Sequence, residues 1–335
     1  RFTMTHATLP RAGGLSRRLV LAAGASLAAA RILRAAPLRE LVLHGPPAGP
    51  SITLAHAAAT GALSAVADKV SFRAWRNPDE MRAGLTSGTM QAVVMPTTTA
   101  ANLYNRGFGL RLVNVMTNGL LHVVSADPSL TSFAAMKGRR LAVPFRNDTP
   151  EFILNRILAH EKLVPGRDLT VDTTGAPIEA IQLVVAGRLD AALVPEPAAS
   201  AAIVRAQVAG KTIHRVIDVQ AAYRGIAGPQ ATVPQAGLAV TTAFLEANPG
   251  IAEALQAALE KATQDVLAAP ARAAGNAASA LELPWPVIEK SIPFSNLVTL
   301  RASSVRPQLE TLFQVIAADN PALIGGKLPD AAFYW

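Results

Sequence analysis

Ten residues on short loops hold the polar, aromatic and conformationally special groups with which this 335-residue chain can grip a small molecule. Arg146, Asp148 and Thr149 stand in one turn, Arg146-Asn147-Asp148-Thr149-Pro150. The Arg146 guanidinium offers a fixed fork of donors to a carboxylate, sulfonate or phosphate, or else neutralises Asp148 or Glu151 beside it. Glu196 lies between Pro195 and Pro197; its carboxylate accepts from a ligand amine or ring nitrogen, or caps the helix that follows. Thr97 and Thr98 follow Pro96 and suit a helix start, where a capping hydroxyl can also touch a ligand. Gly45, Pro46 and Ser51 belong to the loop GPPAGPS, whose glycines let backbone approach a ligand closely. Trp75 ends an alternating run, placed either to stack on a flat ligand or to fill a core.

These types bind more readily than they react. The chain has no cysteine, which excludes disulfides, thiolate metal sites and a Cys nucleophile. His44, His56, His122, His160 and His214 are scattered, with no i, i+4 pair and no further ligands at metal spacing. No Ser/His/Asp order and no pair of carboxylates stands out. The expectation is therefore a non-enzyme with no catalytic residue, no metal and no cofactor.

The elements that must position these loops repeat. Leu141–Phe145 is a short buried strand, Arg146-Asn147-Asp148 a polar turn, and Thr149 the cap of a helix with Pro150 at its first position and Ile153, Leu154, Ile157 and Leu158 on its apolar face. A strand that feeds a helix N-terminus in this way leaves free N–H groups for a polar or anionic group. The stretch from Arg39 to Ala59 has the same form, with Leu41, Pro50 and Leu54 matching Leu141, Pro150 and Leu154. Asn77-Pro78 matches Ala176-Pro177, and Gly88–Pro96 matches Gly187–Pro195. So long an offset is no solenoid; it describes two α/β lobes of one format with a cleft between them.

The net charge of +8 is uneven. Six arginines and no acid fall within residues 1–36, which leaves 25 basic against 23 acidic residues beyond, so the body has no nucleic-acid footprint. Ser16-Arg17-Arg18, the apolar stretch Leu19–Ala30 and the alanines to Ala36 read as a signal peptide of twin-arginine type over residues 1–36, cleaved between 30 and 36. The chain should cross between lobes at Asn118-Gly119 and return within Gly225–Gly237. Lobe 1 is then 37–120 plus 226–335, and lobe 2 is 121–225. After Ala236 the pattern reads as one strand and then helices, one capped by Asn248-Pro249 and one by Ser304, all packing back on lobe 1.

Several stretches together carry a family likeness: Leu103–Gly107 (LYNRG), Lys137-Gly138 before a strand, Gly187–Ala192 (GRLDAA), Pro195–Ala198 (PEPA) and Gly326–Tyr334 (GKLPDAAFY). On these the chain resembles, over residues 38–334, the periplasmic solute-binding proteins of ABC importers in the nitrate, sulfonate and taurine group, which includes thiamine-pyrimidine binders. The resemblance implies a type II periplasmic binding protein, an α/β fold of two lobes with a ligand cleft and two crossover segments. It implies an exported, periplasmic monomer that closes like a hinge on a small polar or anionic organic solute and delivers it to a permease and ATPase complex at the inner membrane. It places the ten residues above on ligand-facing loops, by loop rather than by exact role. Two alternatives stay open: a ligand-sensing subunit of a membrane sensor, and an enzyme of thiamine-pyrimidine or menaquinone type. The missing cysteines depart from the cysteine-rich motif of the thiamine-pyrimidine enzymes.

Overall fold

Runs of Val, Leu and Ala bounded by Gly, Pro and Asn become strands, and the amphipathic stretches between them become helices. In a computed structural model of the chain, residues 37–318 and 320–335 are described, together with Thr3. The expected leader and its cleavage site lie outside the described residues.

The chain runs β1 (Leu38–Gly45), α1 (Gly49–Ala59), β2 (Ala67–Ala74), α2 (Pro78–Ser87), β3 (Ala92–Pro96), α3 (Thr97–Asn105), β4 (Leu110–Leu112) and β5 (Asn114–Thr117). It crosses at Asn118-Gly119 into β6 (Leu121–Ser125), β7 (Arg140–Pro144), α4 (Thr149–His160), β8 (Thr170–Thr174), α5 (Pro177–Val185), β9 (Ala191–Pro195), α6 (Ala198–Val208), β10 (His214–Asp218) and α7 (Val219–Ala227). Residues 228–235 lead back to β11 (Ala236–Thr241), α8 (Thr242–Ala247), α9 (Ile251–Ala268), α10 (Pro270–Leu281), α11 (Trp285–Ser291), β12 (Leu297–Arg301) and α12 (Arg306–Ala317).

Two sheets result. One has the order β12-β5-β11-β3-β1-β2, with β4 also on β11; the other has the order β10-β6-β9-β7-β8. The sequence repeat has a direct counterpart here. In one sheet β1 lies parallel between β2 and β3; in the other β7 lies parallel between β8 and β9. Beside each third strand sits an antiparallel strand delivered by a crossing, β11 on β3 and β6 on β9. Because both lobes are wound alike, the C-terminal ends of their parallel strands, where ligands of open α/β sheets gather, fall at equivalent places.

Local expectations divide. Asn77 caps α2 by accepting the Glu80 N–H at 2.9 Å, and Gly88 ends it at φ 75°, as its sequence reads. The cap of α4 is Asp148 rather than Thr149: Asp148 is extended, at φ −132° and ψ 174°, and its carboxylate accepts the Thr149 N–H. Asn248 does not cap α9, which starts after Gly250 at φ 83°; the Asn248 amide donates to the Phe244 carbonyl at 2.8 Å instead. Ser304 lies in a 3-10 turn, and α12 begins at Arg306. The strand β12 was not expected among the C-terminal helices; it is made by pairing with the distant β5.

The C-terminal helices also do more than cover lobe 1. Leu309 and Phe313 of α12 join its core, but Leu312 and Ile316 on the same helix pack into the core of lobe 2. On α11, Val287 packs with lobe 2 and Ile288 with α1 and α10 of lobe 1.

Candidate ligand site between the lobes

Helices α1 and α3 start at the ends of β1 and β3, and α4 and α6 at the ends of β7 and β9, so four N-termini converge on the join. Two pairs touch. The Thr98 and Thr149 hydroxyls lie 2.7 Å apart and buried, linking the first turns of α3 and α4. The Gly49 N–H at the start of α1 donates to the Glu196 carbonyl at 3.1 Å.

Asp148 sits at the centre of this contact. Its carboxylate accepts the Thr149 N–H at 2.7 Å, and the residue is 5% exposed. Burial holds its carboxyl above the usual carboxylate range, against the opposing pull of the Thr149 N–H, the Arg82 charge and the Thr99 hydroxyl. The loop leading to it is strained. Phe145 has φ 61° and Asn147 φ 58°, a left-handed conformation that costs most for the aromatic residue. Two bonds hold the loop: the Phe145 N–H to the Thr174 carbonyl at 3.0 Å, and the Asn147 N–H to Glu151 Oε2 at 2.5 Å. Strain of this kind persists where the surroundings over-determine it, and it clusters at ligand sites.

On lobe 1, Gly45 leaves room for the Ser51 hydroxyl, which a Cβ at that position would displace. Ser51 is fully buried and its hydroxyl has no protein partner, as has His44 Nδ1 on the strand before it. Burial, then the charge of Arg73, lowers the His44 pKa and favours the neutral ring. Pro46 bridges the turn, its carbonyl accepting the Ala48 N–H at 2.8 Å. Thr97 does not cap α3; its hydroxyl donates to the Pro234 carbonyl at 2.7 Å and so ties the helix to the return crossing. Trp75 packs with Met81, Leu85 and Met95, and its indole N–H donates to the Val94 carbonyl at 3.1 Å. That is a core position rather than a stacking platform.

Glu196 is likewise committed to the protein. One carboxylate oxygen accepts Arg215 Nε at 2.7 Å, and the other accepts the Ser200 N–H at 3.1 Å in the first turn of α6. Arg215 in turn donates to Ser200 Oγ at 2.6 Å and lies under the Phe294 ring, 3.7 Å from its centroid. The Phe294 carbonyl faces His122 Nε2 at 3.0 Å. Phe294, carried by lobe 1, thus rests on Arg215 and His122 of lobe 2. Arg146 is exposed and makes no hydrogen bond or ion pair among the described residues. No group of three His, Asp or Glu that could hold a metal occurs among the described residues.

Sequence reasoning missed Arg82, Arg106, Asn147 and Phe152, which line a pocket of about 270 Å³ beside the Thr98–Thr149 contact. It also missed Arg215 and Phe294. The single readable signal was Asn147, an Asn in an Asn-Asp-Thr-Pro turn, where left-handed backbone is tolerated.

Two α/β lobes, two crossings and facing helix N-termini are the architecture of periplasmic binding proteins. The chain belongs to the NMT1-like family, whose model matches residues 47–282. Among solved structures it is similar to an ABC transporter protein from Parabacteroides distasonis, at 21% identity and a TM-score of 0.73, covering 88% of this chain and 98% of that one. The alkanesulfonate-binding protein SsuA from Xanthomonas axonopodis pv. citri, bound to MOPS, matches at 18% identity and a TM-score of 0.65, covering 90% and 98%. The periplasmic nitrate-binding protein NrtA from Synechocystis PCC 6803 matches at 14% identity and a TM-score of 0.65, covering 85% and 84%. No curated protein sequence matches the chain.

Proposed function

We propose that this chain is the solute-binding component of an ABC importer, an exported protein that captures a small polar or anionic organic solute by hinge closure and performs no chemical step. The lobes divide at about residues 120 and 226, the two crossings act as the hinge, and the permease and ATPase recognise the closed form as a monomer. One observation carries the reading: the first turns of α3 and α4, from different lobes, meet through Thr98 and Thr149 at 2.7 Å. Residues so far apart in the chain are brought together by the approach of the lobes, and a ligand that prefers the approached state shifts the population towards it. The unpartnered Ser51 hydroxyl and the strained 145–148 loop support a ligand site at this join. The sulfonate- and nitrate-binding neighbours support an anionic class of solute.

Thermal unfolding of the mature protein against alkanesulfonates, carboxylates, nitrate, amino acids and thiamine precursors tests the proposal. A true solute at 100 times its Kd adds about 2.7 kcal/mol of stability and raises Tm accordingly. Chemical turnover of any candidate, or a flat response to every class, would remove the receptor reading.

A further inference from the structure

Lobe 1 reaches Glu196 of lobe 2 by two routes. Directly, the Gly49 N–H at the start of α1 donates to the Glu196 carbonyl at 3.1 Å. Indirectly, the Phe294 ring covers the Arg215 guanidinium, 3.7 Å from its centroid, and Arg215 Nε donates to the Glu196 carboxylate at 2.7 Å. Both routes start from one packed part of lobe 1. The first turn of α1 lies against the turn after α11, so that a Cβ on Gly49 would stand 2.8 Å from the Ser295 Cβ. The same turn is tied to the first crossing. The Ser295 carbonyl accepts the Thr117 hydroxyl at 2.7 Å, the Asn296 carbonyl accepts the Asn118 N–H at 3.0 Å, and the Asn296 amide donates to the Gly119 carbonyl at 2.7 Å. The contacts thus form a closed circuit, from Gly49 through Glu196 and Arg215 to Phe294 and back through Ser295.

Within this circuit the Phe294 contact is the one suited to being made and broken. Phe294 is 42% exposed, whereas the Arg215 side chain is 18% exposed and its fork is held within lobe 2 by Glu196 and by Ser200 Oγ at 2.6 Å. The charge is therefore fixed by lobe 2, and the aromatic face arrives with lobe 1. The Phe294 carbonyl adds a second contact, to His122 Nε2 at 3.0 Å. A guanidinium on an aromatic face, partly shielded from water, is worth about 3- to 10-fold in an equilibrium constant. That is enough to bias the approach of two lobes and too little to prevent their separation.

Resting on the receptor reading above, we infer that Phe294 is an interlobe latch: its ring on Arg215 and its carbonyl on His122 hold lobe 1 against Glu196 and bias the receptor towards the closed form. Phe294 and Arg215 are then positioning residues that act on solute affinity through the lobe equilibrium. A solute that selects the closed form binds more tightly in proportion to the fraction already closed.

Thiol labelling of the full chain tests the inference. Because the chain has no cysteine, Thr98→Cys places a single thiol at the join, at a position 1% exposed and faced by Thr149. Where reclosing outpaces labelling, N-ethylmaleimide reacts there in proportion to the fraction of molecules with parted lobes. Adding Phe294→Leu, which removes the aromatic face, should raise the labelling rate about 3- to 10-fold, and Phe294→Tyr, which keeps it, should stay within about twofold of the parent. Thr263→Cys is the control, a buried position within lobe 1 where the hydroxyl meets Thr299, and its labelling reports loss of the fold rather than parting of the lobes. Phe294→Leu should leave that rate unchanged. An unchanged rate at Thr98→Cys, an equal rise at both thiols, or Phe294→Tyr behaving as Phe294→Leu would each overturn the latch. The labelling needs no solute, so such a failure leaves the receptor reading standing, and that reading falls separately if no solute class raises Tm.

Discussion

Asp148 and Glu196 are both carboxylates buried where a strand hands over to a helix, and they tolerate burial by different means. Glu196 faces Arg215 and the N-terminal turn of α6, so its charge is met on both oxygens. Removing one partner of such a buried pair typically costs about 3–5 kcal/mol, because the other charge stays behind. Asp148 has backbone and hydroxyl donors but no arginine in contact, and burial raises its pKa. The sign of the pH effect follows. A carboxyl whose folded pKa lies above its unfolded value is fully compatible with the fold below about pH 4, and stability is lost as pH rises from there through the folded pKa. Asp148→Asn keeps an N-cap oxygen and removes the titration. Urea midpoints measured from pH 3.5 to 8 should therefore fall further for the wild type than for Asp148→Asn; parallel curves would show that Asp148 ionises freely. In the sequence Asp148 was legible as a polar turn residue. Its burial was not, since that depends on α3 from the other lobe.

Among the elements, β11 carries the tightest constraint. A Cβ on Gly237 would stand 1.9 Å from the Asn114 carbonyl oxygen, a backbone atom of the neighbouring strand that cannot swing aside. Gly237→Ala should push β5 away from β11 and destabilise the chain by about 2 kcal/mol or more, read as a lower denaturant midpoint with the fold retained. A midpoint equal to the wild type would mean that the two strands are not held at this distance. The helices show where periodicity informs and where it stops. The apolar face of α9, from Ile251 through Leu255, Leu259 and Ala262 to Val266, was readable and is buried. The equally periodic α12 divides its face between two cores, with Leu309 and Phe313 in one and Leu312 and Ile316 in the other. Spacing says which residues share a side of a helix, but not how many bodies meet that side. For β12 even the spacing is silent, because five residues following a 3-10 turn become a strand only through the edge that β5 offers.

At the scale of the molecule, the contact between Thr98 and Thr149 is a natural place to fix the lobes together. The chain has no cysteine of its own, so a Thr98→Cys/Thr149→Cys variant contains a single thiol pair and its oxidation state is unambiguous. Hydroxyl oxygens 2.7 Å apart put the replacing sulfurs within reach of a bond after small adjustments. Oxidation should close the lobes and abolish solute exchange, and reduction should restore it, as followed by equilibrium dialysis with a bound solute. Unaltered exchange in the oxidised form would show that solute enters without separating these helices. Contacts made by α11, α12 and Phe294 also run between the lobes, so any motion that separates Thr98 from Thr149 must repack these side chains as well.

The repeat of strand, polar turn and helix was legible in the sequence and has its counterpart in the strand triplets β1-β2-β3 and β7-β8-β9, because strand alternation and helix periodicity are local rules written in neighbouring residues. Which of those loop residues stay free for a solute was decided only by the tertiary structure. Glu196 is held by Arg215, Trp75 by the core beneath α2, and Thr98 by Thr149, while Arg146 is left exposed and without a partner among the described residues. A side chain's availability depends on what the rest of the chain brings against it, and contacts between residues distant in sequence leave no mark in the spacing of either one.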